Sequence, residues 1–280
     1  MNKIGIIGNG FVGNAVFEGL RGHYMMYSYD IDESKRKNSL DEINTQTEVV
    51  FLCVPTPMSK TGDIDISILH SVIKKLYPGK ILIVKSTVTP SAALQLIKNF
   101  PQQNLVFNPE FLTEKTAVND FKEPSRIVLG GDEKYTKEVE NIYKKVFHTG
   151  GIEFIKTDAK TACFIKYFSN CFFAAKVSLM NEFRQVSDAA GIDWNIALRG
   201  LLTSGWVNPM HTLVPGPDGD YGFGGKCFPK DINAFIEYSQ SLDVDTKLLK
   251  SAWEKNLEVR KDKNWLHIPG AVSKNKRKKK

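Results

Sequence analysis

Along the first half of the chain, short, mainly apolar runs alternate with stretches whose apolar side chains recur at helical spacing. The mainly apolar runs, at 3–7, 25–29, 49–54, 81–85, 105–107, 127–129 and 152–155, predict strands, those at 3–7 and 49–54 buried ones. The periodic stretches between them, at 14–20, 67–76, 92–100 and 134–147, predict helices. This alternation predicts an α/β fold in which residues 1–157 form a Rossmann-like doubly wound sheet. From 158 onward the pattern is helical. Residues 162–190 contain almost no breaker and too many apolar side chains for a solvated helix, which predicts a long helix buried between domains or subunits. Helices over 193–202, 229–240 and 246–261, with a proline-containing loop at 205–219, complete an all-helical domain at 158–268. Residues 269–280 read as a basic, disordered tail.

The first predicted strand runs into Gly8-Asn9-Gly10-Phe11-Val12-Gly13 and then into a helix. Three glycines at this spacing allow a tight turn, close backbone approach to a pyrophosphate, and contact between helix and strand, so the setting is that of a dinucleotide fingerprint. Asp30 closes the second strand about 20 residues on, where a carboxylate would meet the adenosine ribose hydroxyls and repel a 2′-phosphate. NAD is therefore expected rather than NADP. Asp32 competes for that role but reads as the cap of a helical stretch starting near Glu33.

Three further loops leave strand ends, which in such sheets face the ligand crevice. Val54-Pro55-Thr56-Pro57 forms a rigid shelf, Ser86-Thr87 places two hydroxyls, and Asn108 to Glu114 carries Glu110 and Glu114 four residues apart, on one face if helical. The alternative for that pair is a surface helix bearing two acids. On the long helix, Lys166 and Asn170 also lie one turn apart among Phe164, Ile165, Phe168, Phe172 and Phe173. A lysine there needs a partner or ligand unless its head reaches water. Finally, Gly222-Phe223-Gly224-Gly225-Lys226-Cys227-Phe228-Pro229-Lys230-Asp231 places a cysteine between two lysines, with Pro229 expected at the first position of a new helix. Cations and a helix N-terminus stabilise a thiolate; the other reading is a glycine-rich turn with a buried cysteine.

The chain has 280 residues, 42% of them apolar, enough for a sizeable core. Its net charge of +7 resides at one end: the last seven residues hold six of the 38 basic side chains, and without them 32 face 31 acidic ones. Nucleic acid is thus not an expected partner of the folded part, apart from a contact made by the tail. Four cysteines without paired spacing suit reduced thiols and no metal site. No run is long enough to span a membrane and no leader precedes the first strand, so a cytoplasmic protein is expected.

Taken together, Gly8 to Gly13, Val54-Pro55-Thr56-Pro57, Lys85-Ser86-Thr87-Val88, Asn108-Pro109-Glu110-Phe111-Leu112, the Lys166 and Asn170 pair, and Gly222 to Asp231 resemble the UDP-glucose 6-dehydrogenases of the UDP-glucose/GDP-mannose dehydrogenase family. The resemblance runs to about Trp265. It implies two successive NAD-dependent oxidations of a sugar C6 alcohol, UDP-glucose to UDP-glucuronate, with Cys227 holding the aldehyde as a thiohemiacetal and then a thioester. By the same resemblance, Lys166 and Asn170 stabilise oxyanion charge, while Glu110, Thr87 and Asp231 transfer protons and position water. It further implies cofactor contacts from Gly8, Asn9, Gly10, Phe11, Val12, Gly13, Asp30, Lys35, Val54, Thr56, Ser86, Thr87, Glu114 and Lys230. Substrate contacts are implied from Glu110, Phe111, Leu112, Glu114, Lys166, Asn170 and Gly224. The family has a further nucleotide-sugar domain where this sequence stops, so a short form is expected. It also has an arginine ahead of the glycine-rich turn, where this chain has none between Arg199 and Lys226; His211 is the substitute, or a hydrogen-bonded loop histidine. Alternatives are a related nucleotide-sugar dehydrogenase, a β-hydroxyacid dehydrogenase that oxidises once, and a non-catalytic NAD-binding subunit. The apolar surface of the long helix predicts a homodimer.

Overall fold

The computed structural model describes residues 3–59, 61–147 and 150–273. It divides into two compact units: Met1–Thr56 with Asp65–Lys166, and Pro57–Ile64 with the chain from Tyr167 onward. The boundary expected at 157/158 falls just before a helix within which the units divide.

The first unit contains β1 (Lys3–Ile7), α1 (Phe11–Leu20), β2 (Met25–Tyr29), a 3-10 turn at Glu33–Lys35, α2 (Leu40–Gln46), β3 (Val49–Leu52), α3 (Ser67–Lys74) and β4 (Ile81–Val84). It continues with α4 (Pro90–Asn99), β5 (Asn104–Phe107), α5 (Ala117–Lys122), β6 (Arg126–Gly130), α6 (Glu133–Val146) and β7 (Glu153–Thr157). The seven strands are ordered β2-β1-β3-β4-β5-β6-β7. The first five are parallel, with Ile4 beside Met26, Ile6 beside Phe51 and Ile83 beside Val106. β6 pairs antiparallel with β5, through Phe107 and Gly130, and β7 then runs parallel to β6. Every residue of β3 and β4 is buried, because helices cover both faces of the sheet and leave no side of Val-Val-Phe-Leu or Ile-Leu-Ile-Val to water. Ile4, Ile6, Phe51, Ile83, Val106 and Leu129 share a core with Tyr143 and Phe147, whose rings stack at 5.7 Å.

One local expectation is corrected. Asp32 does cap, accepting from Ser34 N at 3.1 Å, but the helical stretch is a single 3-10 turn. The amides of Lys37 and Asn38 both donate to the Ser28 carbonyl, and Asn38 Oδ1 accepts from Ser28 N, which draws the chain back to β2. A new helix then starts at Leu40 behind a capping box formed by Ser39 and Glu42.

The helix α7 (Ala159–Ala190) opens in the first unit and continues through the second, which adds α8 (Trp194–Leu202), α9 (Phe228–Gln240), α10 (Lys247–Val259) and a 3-10 turn at Asn264–Leu266. Cys171, Ala174 and Val177 face a core with Phe223, Ile232, Ile236 and Ala252. The end of the described chain is part of this unit: Met58 N donates to the Ala271 carbonyl at 2.8 Å and Ser273 N to the Met58 carbonyl at 2.7 Å. Residues 269–273 therefore differ from the expected tail; the rest of it, 274–280, lies outside the described residues.

Candidate active site

Gly8 leaves β1 at φ +92°, a conformation glycine adopts without strain, and a Cβ there would stand 2.7 Å from the Cys53 carbonyl oxygen at the exit of β3. β1 is where the strand order reverses, so this turn sits at the switch point of the sheet. A Cβ on Gly13 would collide with the Gly8 carbonyl oxygen, whereas one on Gly10 would meet nothing within 4 Å. Asn9 N donates to Asp30 Oδ2 at 2.6 Å, Asp32 N to Asp30 Oδ1 at 2.9 Å, and Asn9 Oδ1 is buried without a partner. A cavity of about 430 Å³ opens here, lined by Asn9, Gly10, Phe11, Asn14, Ser34, Lys35 and Lys37. Free space over Gly10, the N-terminus of α1 and two lysines fit a dinucleotide's phosphates and ribose.

The glycines are separable by experiment. Gly13→Ala is expected to destabilise the chain by about 1–3 kcal/mol, because helix and turn must part. Gly10→Ala, at φ −74°, is expected to melt like the parent and yet bind NAD far more weakly, because its methyl group enters the ligand's space. Thermal melting and NAD titration of both variants check this.

At the ends of β3 and β4, the expected hydroxyls join loops. Ser86 Oγ donates to the Val54 carbonyl and Thr56 Oγ1 to the Thr87 carbonyl, each at 2.7 Å. After β5 no helix forms before α5, and Glu114 already lies in a turn, so Glu110 and Glu114 do not share a helix face. Glu110 is buried, accepting from Leu112 N at 2.8 Å, while Glu114 is exposed in a turn. Lys166 reaches Glu110 Oε1 at 3.1 Å, with both side chains less than a tenth exposed, and its ammonium stands 5.4 Å from the Phe111 ring centre. The lysine head therefore goes to a carboxylate, not to solvent.

A second buried lysine lies beside them. Lys85 Nζ donates to Asn108 Oδ1 at 3.0 Å, an oxygen that also accepts from the Tyr143 hydroxyl, and Asn108 Nδ2 donates to the Val128 carbonyl. Burial pushes the Lys85 ammonium down to about 8, opposed by Cys53 and Glu110 and aided by Lys166. Burial likewise pushes the Cys53 thiol up to about 12. Below pH 8 Lys85 is charged both folded and unfolded and the full burial cost applies. Above 8 the folded chain gives up the proton that the unfolded chain still holds, so stability rises. Relative to Lys85→Met, the parent is expected to gain on the order of 3 kcal/mol as pH rises from 8 towards 10.5, read by denaturant unfolding at several pH values.

In the second unit, Cys227 is the cap of α9, which starts at Phe228, so Pro229 occupies the second helical position instead of the expected first. Gly222 and Gly225 turn the chain at φ +64° and +72°. One turn into α9, Asp231 is 1% exposed and accepts from Asn170 Nδ2 at 2.6 Å and from the Lys230 ammonium. Cys171, with its thiol against the Asp231 carbonyl, is pushed well up by burial and then by the Asp231 charge. His211, at φ +63°, is enclosed by the Phe173 and Phe228 rings at 4.8 and 5.2 Å, and burial with Lys176 nearby holds its imidazole below the usual range.

The expected residues are thus gathered in two groups. Gly8 to Gly13, Asp30, Lys35, Val54, Thr56, Ser86, Thr87, Glu110, Phe111, Leu112, Glu114 and Lys166 lie in the first unit; Asn170, Gly224, Cys227, Lys230 and Asp231 lie in the second. Lys166 and Asn170, one turn apart on α7, belong to different units. Sequence reasoning gave no role to Lys85, Asn108, Asn14 or Lys37; for Lys85 the available signal was a charge ending a wholly apolar strand. Among the described residues no three His, Cys, Asp or Glu side chains are grouped to hold a metal, and no helix is long and apolar enough to cross a membrane.

Residues 33–147 match the NAD-binding domain of the UDP-glucose/GDP-mannose dehydrogenase family, and residues 160–258 match that family's central domain. A UDP-glucose 6-dehydrogenase of Rickettsia bellii is 33% identical over 254 residues, spanning 87% of this chain and 57% of that protein. This chain therefore covers little more than half the length of that relative. Among solved structures, a UDP-glucose dehydrogenase from the archaeon Pyrobaculum islandicum superposes with a TM-score of 0.82 at 24% identity, covering 92% of this chain and 68% of the other. The 3-hydroxyisobutyrate dehydrogenase of Mycobacterium tuberculosis shares the fold at a TM-score of 0.73 and 16% identity, with 92% and 93% covered.

Proposed function

The chain belongs to the UDP-glucose/GDP-mannose dehydrogenase family, and from that membership we propose that it oxidises the C6 alcohol of UDP-glucose twice, to UDP-glucuronate, through Cys227. Its first domain is the family's NAD-binding domain, and NAD is its cofactor. NAD, when bound, supplies the hydride acceptor for each oxidation. The observation that carries the reading is Cys227 at the start of α9 with Asp231 buried one turn further and held by Asn170.

In the proposed sequence, the alcohol loses a proton and a hydride to become an aldehyde. The Cys227 thiolate adds to that carbonyl carbon, giving a thiohemiacetal whose oxygen carries the developing charge. Lys166 and Asn170 stabilise that charge. Loss of the second hydride leaves a thioester, and water aided by Asp231 and Glu110 releases the carboxylate and regenerates the thiol. Thr87 positions the water. Covalent capture keeps a reactive aldehyde from escaping between the two steps. NADH production by the purified chain with NAD and UDP-glucose, set beside other nucleotide sugars, tests the reading; turnover with another sugar alone would overturn the substrate. The proposed setting is the cytoplasm, in keeping with four cysteines outside any disulfide.

We also propose a homodimer through α7. Phe172, Leu179, Phe183 and Val186 share one stripe of this helix and remain 51–62% exposed. Sedimentation at micromolar concentration is expected to give a dimer, and Phe183→Glu a monomer that retains its helicity.

A further inference from the structure

The glycine-rich turn ahead of Cys227 is held by side-chain carboxamides from three other parts of the second unit. Gly222 N donates to Asn181 Oδ1 at 3.1 Å, Phe223 N to Asn256 Oδ1 at 2.6 Å, and Gly225 N to Asn264 Oδ1 at 2.8 Å. These asparagines stand on α7, in α10 and at the start of the last 3-10 turn. The approach is close enough to require glycine, because a Cβ on Gly222 would collide with Asn256 Oδ1 and one on Gly224 with the Arg260 guanidinium. Arg260 is 4% exposed; it donates to Asp218 Oδ2 at 2.6 Å and to the Tyr221 carbonyl at 3.4 Å, closing the turn from its other end.

Any buried loop must satisfy its amides, so one such bond would mean little. Here three of four consecutive residues are met by asparagine oxygens, and Asn256 does so although its Nδ2, fully buried, has no partner. An unmatched buried donor is costly, so the acceptor at position 256 is retained against a penalty. A turn with three glycines is also the segment that loses most backbone freedom on ordering, and its last pinned amide is two residues before Cys227.

We infer that Asn181, Asn256, Asn264 and Arg260 are positioning residues that hold the Cys227 turn in its reactive geometry, an inference that rests on Cys227 being the nucleophile. Arg260 and Asn264 lie beyond residue 258, where the match to the family's central domain ends, so in this chain the segment after that domain serves the reaction.

Asn264, half-buried on a single turn, gives the cleanest test. Asn264→Leu removes the acceptor; Asn264→Asp keeps one at the same place. Alkylation of Cys227 by iodoacetamide, followed peptide by peptide from pH 6 to 9.5, needs no substrate and so separates this inference from the proposed reaction. The leucine variant is expected to shift the alkylation midpoint and to lower kcat about tenfold with KM for the sugar nearly unchanged, and to melt only a few degrees below the parent, as for one lost hydrogen bond. The aspartate variant is expected to stay near the parent in both readouts. A leucine variant that alkylates along the parent's pH profile, or an aspartate variant equally impaired, overturns the inference. If the leucine variant does not fold, Asp218→Asn, at a half-exposed carboxylate, decides: a moved profile supports the cradle and a parental one overturns it.

Discussion

Replacing Cys227 by serine is expected to end steady-state NADH production, lowering kcat at least about 10³-fold while leaving NAD binding intact. A thiol supplies thiolate near neutral pH, and the start of α9 favours a negative charge at residue 227; a serine hydroxyl supplies almost no alkoxide. Where serine does add to the aldehyde, the second oxidation leaves an oxygen ester, which water attacks more slowly than a thioester. The variant is then expected to give at most a burst of two NADH for each enzyme present and a chain heavier by the bound sugar, readable by intact mass. Sustained turnover to the carboxylate by Cys227→Ser would remove the covalent step from the account.

Lys166→Met carries the second large effect, and on two observables. Lys166 and Glu110 are paired at 3.1 Å with both side chains buried, so removing the cation strands a carboxylate and is expected to cost about 3–5 kcal/mol of stability. Loss of the proposed oxyanion partner is expected to lower kcat by a further 10²- to 10³-fold, on the order seen for one donor of an oxyanion hole. The double variant Lys166→Met with Glu110→Gln, set beside Glu110→Gln alone because Glu110 is itself placed in the hydrolysis step, separates the two. It is expected to recover most of the stability, since no unpaired charge remains, and none of the activity. Recovery of turnover together with stability would reduce Lys166 to a structural role.

The sheet was legible because buried parallel strands leave a plain mark: β3 and β4 are unbroken apolar runs, β1 is one after Lys3, and Gly8 and Gly13 stand where only glycine fits. The antiparallel placement of β6 was not legible, since Arg-Ile-Val-Leu-Gly reads the same in either direction and pairing depends on the path of α5. The early end of the helical stretch after Asp32 was hidden for a similar reason, because Ser28, four residues upstream, takes the amides that a helix would have used. At the site, motifs with unusual composition were visible. Partners with ordinary composition were not: nothing in the neighbourhood of Asn181, Asn256 or Asn264 marks them, since their role exists only once three distant segments meet one turn. Glu110 and Glu114 show the opposite error, a helical spacing on a segment that is not a helix and in which the Glu110 carboxylate takes the Leu112 amide.

The double oxidation is the central claim, and counting reduced cofactor against sugar consumed tests it most directly. With UDP-glucose limiting and NAD in excess, the account predicts two NADH for each sugar and a product bearing a carboxylate at C6. One NADH for each sugar, with an aldehyde or ketone as the product, would contradict it and leave a single-step dehydrogenase on the same fold.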